Sequence, residues 1–397
     1  MVELVGERGY AAVKMRDVVR LAGVSTRSFY DNFESKEDCF LRTHELIVRG
    51  AARRIDAAQA NELDWRQRPG LVVDAFVREI ERAPHAARLA LVDAYEAGID
   101  ALEQAWRTES MFAALIREGV ARGPDGVVVP PLVTEGIVAG VARVARSRLL
   151  AGEEEDLSNL SSELTDWVLR LLDGSAAELA LLDRRSVSFG DGIAEAQAQA
   201  QPEDPRTSIL AATTELAASD GYASLTIPRI RARAGVSRAA FNAHFTGLDD
   251  CFLTTLKLRA GEAVAEAATA QASGQTWAGG IYRAIVSLCA QFGSDPLLVS
   301  LCLDDDFAPG SSGSSWRQRL AAAIVDSVGV SAPPEHRPSR LASEASKHAI
   351  WELYHHDIVR SPRPEGPQIA AALAYVALAP AIGASEAVAA IRREQTA

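Results

Sequence analysis

The sequence predicts an all-α protein built from two copies of one plan, and three observations carry that prediction. Apolar residues recur at three- and four-residue spacings along most of the 397 residues, which marks amphipathic helices, while alternating apolar and polar runs of strand type are scarce. The two halves of the chain repeat each other without gaps at an offset of 212 residues. Between them, residues 184–206 hold Gly190, Gly192, Pro202 and Pro205 around an Ala/Gln run with no apolar stripe, so this stretch reads as a linker. With 48% hydrophobic residues, a chain of this length can fill several cores.

The repeat is clearest near the start of each copy. Glu3-Leu4, Gly9-Tyr10-Ala11, Ala22-Gly23-Val24-Ser25, Phe29, Phe33 and Asp38-Cys39-Phe40-Leu41 recur as Glu215-Leu216, Gly221-Tyr222-Ala223, Ala234-Gly235-Val236-Ser237, Phe241, Phe245 and Asp250-Cys251-Phe252-Leu253. That is 15 identities in 39 positions, and the same offset later pairs Trp65 with Trp277, Pro84 with Pro296 and Asp93 with Asp305. Each copy is therefore a whole protein-sized unit rather than a repeated motif.

Inside copy one, Met15–Ala22 reads as a short helix with Val18, Val19 and Ala22 turned inward. Gly23 supplies the left-handed stop, and Ser25 caps a second helix. This is the pattern of a helix-turn-helix. Phe29 and Phe33, four apart, share the inner face of the second helix, which leaves Arg27, Ser28, Tyr30 and Asp31 on the outer one. Asp31 is expected to serve a local ion pair. Ser35, with Asp38 three residues on, caps a third helix whose N-terminal end carries Lys36, placed where backbone N–H groups and a cation can hold a phosphate.

The run GYAAVKMRDVVRLAGVSTRSFYDNFESKEDCFL resembles the DNA-binding signature of the tetracycline-repressor (TetR) family, and DGYASLTIPRIRARAGVSRAAFNAHFTGLDDCFL resembles a second, more divergent one. The resemblance implies an all-α pseudo-dimer of two TetR-like units, each with a three-helix helix-turn-helix head and a helical ligand-binding body. The expected boundaries are a first head at 1–43, a first ligand-binding and dimerisation body at 44–183, the linker at 184–206, a second head at 207–255 and a second body at 256–397. By position, the resemblance assigns DNA contact to Thr26, Arg27, Ser28, Tyr30, Asn32 and Lys36.

Copy two departs from this pattern. Its reading helix presents Ala239, Ala240, Asn242 and Ala243, and Gly247 and Leu248 stand where copy one has Ser35 and Lys36. It keeps Arg229, Arg231, Arg233 and Arg238, which suit phosphates rather than bases. Asn242 and His244 complete the expected contacts of this head, His244 being equally suited to a phosphate or to a surface groove. Copy one departs in another way: Met1 aligns with Thr213, so the counterpart of residues 205–212 is missing, and either the true start lies upstream or the first head is loosened.

The formal net charge of −12 sits badly with DNA binding until it is mapped along the chain. Residues 1–54 hold ten Lys/Arg against eight Asp/Glu, and residues 205–260 hold seven against four, so both heads are basic within an acidic body. The bodies offer aromatic residues for an apolar effector, with Phe76, Tyr95 and Trp106 in copy one and Tyr282, Trp351 and Tyr354 in copy two as candidates; core packing explains any one of them as well. Asp93 and Asp305 recur on apolar helices, as ligand-orienting groups or as caps. His355, His356 and Asp357 resemble a metal cluster only loosely, since adjacent helical histidines point about 100° apart.

The four cysteines show no metal-ligand or disulfide spacing, and Cys39 and Cys251 are expected to be buried small hydrophobes. No P-loop, GxSxG, HExxH or dinucleotide fingerprint occurs, so neither a catalytic site nor a cofactor is expected. The apolar stretch at 369–385 contains Pro380 and Gly383 and reads as a packing helix rather than a membrane span. The sequence thus suggests a cytoplasmic, ligand-responsive regulator, a repressor by the family's usual mode. Its partners would be a double-stranded, asymmetric operator and a small apolar effector, with further homodimerisation open. The alternative is a degenerate protein of the same fold that binds a ligand or partner without specific DNA recognition.

Overall fold

The computed structural model describes residues 1–60, 62, 64–121, 129–153, 156–174, 179, 182, 204–220, 224–295, 298, 332–360 and 366–396. Helices and short connections account for all of them, with no strand among the described residues. The chain divides into two compact units. One comprises Met1–Asp183, Pro334–Leu353 and Tyr375–Val388, and the other Arg184–Pro333, Tyr354–Ala374 and Ala389–Ala397.

The first unit begins with α1 (Val2–Arg8), α2 (Met15–Ala22) and α3 (Thr26–Tyr30), followed by the long α4 (Lys36–Gln59). Each start and stop has a local cause. Asp17 Oδ2 accepts from the Lys14 backbone N–H at the head of α2, and Gly23 ends that helix at φ 66°, where a side chain would be strained. Ser25 Oγ accepts from Ser28 N, and Ser35 Oγ from Asp38 N, each at 3.0 Å. Buried Leu4, Val5, Val18, Phe29 and Phe40 form the head's core, with Tyr10 edge-on to Phe40 at 4.9 Å. Ala22, expected inward, is exposed, because α2 is only two turns long and buries a stripe centred on Val18.

Beyond the head run α5 (Arg68–Arg82), α6 (Pro84–Leu91), a 3-10 turn at Asp93–Tyr95, α7 (Ile99–Ala121), α8 (Pro131–Ala151) and α9 (Leu157–Leu172). The head core continues into this body, since Leu89, Ala94, Ala97, Ala101 and Ala105 belong to the same cluster as Phe29 and Phe40. Gly6 of α1 lies against α6 so closely that a Cβ there would come 2.5 Å from His85 Cβ.

The first unit also holds parts of two helices of the second repeat, α15 (Arg340–Arg360) and α16 (Gly366–Ile382), packed against α8 and α9. Trp167 Nε1 donates to Ser346 Oγ, which donates to the Val376 carbonyl, and Tyr375 OH donates to the Leu171 carbonyl at 2.8 Å. Arg148 meets Glu344 through two bonds of 2.8–2.9 Å, and Arg143 meets Glu352 at 2.7 Å. Gly140 permits this closeness, because a Cβ there would lie 2.9 Å from the Ala345 carbonyl oxygen. Pro380 sits within α16, whose residues Ile369–Ala379 are buried throughout. No helix among the described residues is long and apolar enough to cross a membrane.

The second unit opens with α10 (Pro205–Asp220), α11 (Ile227–Ala234) and α12 (Arg238–His244), then α13 (Leu248–Ala272) and α14 (Trp277–Ser294). Its head core is built by Ile209, Leu210, Leu225, Ile230, Phe241, Phe245 and Phe252. The first turns of α10 supply Ile209 and Leu210, which have no counterpart in the shorter α1; Val236 packs on that cluster, while the equivalent Val24 is 43% exposed. Glycines draw α13 and α14 together. A Cβ on Gly280 would fall 2.5 Å from the Gln271 carbonyl oxygen, and one on Gly274 would meet the backbone of Gly280. The end of α17 (Ala384–Thr396) closes on α14 through Arg283 and Glu394.

Candidate nucleic-acid interface and ligand cavity

On the first head, Thr26, Arg27, Tyr30 and Asn32 are exposed and Ser28 is half-buried, all carried by α3 or the turn after it. Tyr30 keeps more than half of its surface free, at 55%, although its ring edge rests against Phe29. Asn32 is fixed by its own side chain, Nδ2 donating to the Ser28 carbonyl at 2.8 Å, which satisfies an orphan carbonyl at the end of α3. Asp31 makes no ion pair among the described residues, in contrast to the expectation, although Arg27 stands one turn before it on α3.

Lys36 is engaged within the head. Its Nζ donates to the carbonyls of Tyr10 and Val13 at 3.1 and 3.0 Å and stands 3.7 Å above the Tyr10 ring. Desolvation holds its pKa below the usual lysine value. One of the three ammonium protons remains for a phosphate after these two bonds.

On the second head, Arg229, Arg238, Asn242 and His244 are exposed and Arg231 is half-buried. Arg229 Nη1 donates to the Ser224 carbonyl at 3.0 Å, and Arg233 pairs with Glu215. Gly247 gives α13 no side-chain cap; instead Asp250 Oδ2 accepts from the backbone and hydroxyl of Thr246. Cys39 and Cys251 are buried, and Thr213 Oγ1 lies 3.3 Å from Cys251 Sγ. Burial pushes both thiols up, so neither is an activated thiolate.

The first unit contains a cavity of about 480 Å³ between α4, α5, α6, α7 and α8. Apolar side chains line most of it, among them Phe76, Phe112, Ile116, Val138 and Val168. Two of the expected ligand residues, Phe76 and Tyr95, reach it; Trp106 is buried in the adjoining core. Of the others, Tyr282 and Tyr354 are buried in the second unit, Tyr354 edge-on to Phe292 at 5.8 Å, and Trp351 is half-buried in the first. Asp305 and the side chains of His356 and Asp357 lie outside the described residues, and no cluster of metal-ligating groups occurs among those described.

One group of polar residues surrounds Tyr95 on the cavity wall. Tyr95 OH donates to Glu109 Oε1 at 2.8 Å, and the guanidinium groups of Arg143 and Arg146 lie 4.0 and 4.6 Å from the Tyr95 ring centre. Burial, opposed by Arg143, raises the Glu109 carboxyl to about 7. His44, also on the wall, is held neutral by burial with a pKa of about 4, its Nδ1 3.1 Å from Gln104 Nε2. Sequence reading missed Glu109 and His44, since nothing in residue type or spacing sets either apart from the other polar residues of α7 and α4.

The turn at Asp93–Tyr95 joins this cavity to the first head. Asp93 Oδ1 accepts from the buried Tyr10 N–H at 2.9 Å, and Tyr95, two residues on, enters the cavity. Desolvation raises the Asp93 carboxyl, and its Oδ2 has no hydrogen-bond partner among the described residues.

Two capped three-helix heads, each with an exposed second helix beside a tight glycine turn, define helix-turn-helix DNA-binding modules. Residues 2–43 and 209–254 both match the model for bacterial regulatory proteins of the tetR family. An uncharacterized HTH-type transcriptional regulator of Bacillus subtilis (strain 168), YezE, is 22% identical over 177 residues, covering 43% of this chain and 79% of that protein. The two heads are thus tetR-family DNA-binding domains carried in tandem, and the chain is of the transcription-regulator type that such heads define.

Proposed function

We propose that the chain is a ligand-responsive repressor that reads an asymmetric operator, copy one supplying sequence recognition and copy two mainly backbone affinity. The observation that carries this reading is the shared Asp93–Tyr95 turn, which holds the first head through Tyr10 N–H at one end and meets the cavity through Tyr95 at the other. An effector that displaces Tyr95 moves the residue on which the head is hung, so occupancy and head position are linked and ligand weakens DNA binding. The unequal heads support the asymmetry. Arg27, Ser28 and Tyr30 offer base-edge donors where Ala239, Ala240 and Asn242 offer one short amide.

The bonds of Trp167, Tyr375, Arg143 and Arg148 to residues of the second repeat support an intramolecular bundle in the place of a dimer interface. The alanine face of α12 favours a second reading for that head alone, in which it serves the fold and contributes only charge. The test is recovery of sheared genomic DNA by the full chain, followed by a reporter driven from a recovered site with and without the protein. Enriched discrete sites and lowered reporter output support the proposal. Uniform recovery along the genome would overturn sequence recognition, and raised output would overturn repression.

A further inference from the structure

The chemistry of the cavity narrows the kind of molecule it takes. Much of its wall is apolar and aromatic; Arg53, Arg54, Asp56, Arg68, Glu79 and Arg82 also line it, and Glu109 projects into it from α7. Glu109 is half-buried and lines the cavity. Tyr95 supplies one hydrogen bond to Oε1, and a carboxylate has room for several more.

The surrounding charges decide what completes it. Arg143 is paired with Glu352 at 2.7 Å, and Arg146 interacts with Glu352, Glu96 and Asp93. His44 and His348, the nearby histidines, are neutral, each with a pKa of about 4. The cluster therefore sets three cations, Arg88, Arg143 and Arg146, against four carboxylates, Asp93, Glu96, Glu109 and Glu352. Of these four carboxylates only Glu109 lines the cavity. A ligand carboxylate would meet it with repulsion; a ligand ammonium would neutralise it among aromatic faces that also favour cations.

We propose that the effector is an apolar monocation, an amine whose ammonium group pairs with Glu109 while its hydrocarbon or aromatic body fills the space between α5, α7 and α8. This rests on the reading of the cavity as the effector site. Because Glu352 belongs to the second repeat, the ligand's charge is balanced by residues of both copies.

The test uses the full chain and three probes with one carbon skeleton, a phenylalkylamine, the matching phenylalkanol and the matching phenylalkanoic acid, titrated by calorimetry at pH 7.5. The amine should bind about tenfold or more tightly than the alcohol, and the acid most weakly. Glu109→Gln keeps an acceptor for Tyr95 and should remove the preference for the amine over the alcohol, with an unchanged far-UV circular dichroism spectrum showing that the variant folds. Equal binding of the three probes, tightest binding of the acid, or an amine affinity indifferent to Glu109→Gln would overturn the monocation and leave the effector site standing. If none of the three binds, the cavity is not an effector site and both proposals fall.

Discussion

Replacing Asp93 by alanine should release the first head from its body without unfolding either. The Tyr10 N–H is buried and its acceptor is Asp93 Oδ1, so the truncation strands a donor, at a cost of about 1–3 kcal/mol. Removing a desolvated carboxyl whose Oδ2 is unbonded among the described residues relieves part of that cost, which places the net effect at the lower end of the range. The apolar contacts of Leu89 and Ala94 with the head core remain, so the loss should appear as local opening. Asp93→Asn retains a carbonyl acceptor and should leave the head in place. The assay is amide hydrogen exchange across residues 1–40 in the wild type and both variants. Faster exchange at Tyr10 and along α1 in Asp93→Ala, with wild-type exchange in α8 and α9, is the expected result. Unchanged protection at Tyr10 in Asp93→Ala, or equal loss in Asp93→Asn, would refute the assignment of the linkage to this bond.

Two further outcomes follow from packing and titration. Gly6→Ala should lower the melting temperature of the first unit despite alanine's better helix propensity, because about 1 kcal/mol of propensity is set against a Cβ 2.5 Å from His85 Cβ and 2.9 Å from its Cα; a melting temperature equal to or above wild type would contradict the close α1–α6 contact. His44 and His348 bind fewer protons in the folded state between pH 6.5 and about 4, so their contribution is full above pH 6.5 and is lost as pH falls through 4, by about 3 kcal/mol each at most. Glu109, raised to about 7, acts in the opposite direction, losing stability as pH rises from 4.5. Asp93, also raised by desolvation, acts in the same direction as Glu109, so the histidine contribution is isolated by urea denaturation of His44→Gln, which should lose less stability than wild type between pH 6.5 and pH 4.5.

The heads were legible in the sequence because their grammar is local. Caps such as Ser25 and Ser35, the stop at Gly23, and the inward pair Phe29 and Phe33 all act within four residues, and the structure places each as its spacing requires. The repeat offset marked the second head by the same signals. What the sequence did not give was long-range partnership. Lys36, assigned to phosphate by its place at a helix start, is also turned into the fold by carbonyls more than twenty residues away. Asp93 was noticed as a recurring carboxylate, but its partner is the Tyr10 backbone, which leaves no mark in residue identity. Glu109 and His44 are indistinguishable from surface residues until α4, α7 and α8 are brought together.

The unequal heads are tested most directly by selecting preferred sites from random DNA with the full chain, then titrating those sites at several salt concentrations with Arg27→Ala, Arg231→Ala and Asn242→Ala. The account predicts a non-palindromic site. Arg27→Ala should relax preference at one half-site at a cost of about 1–3 kcal/mol, while Arg231→Ala weakens binding evenly across sequences and reduces the salt slope by about one. A palindromic site, or a preference destroyed by Asn242→Ala and untouched by Arg27→Ala, would contradict it.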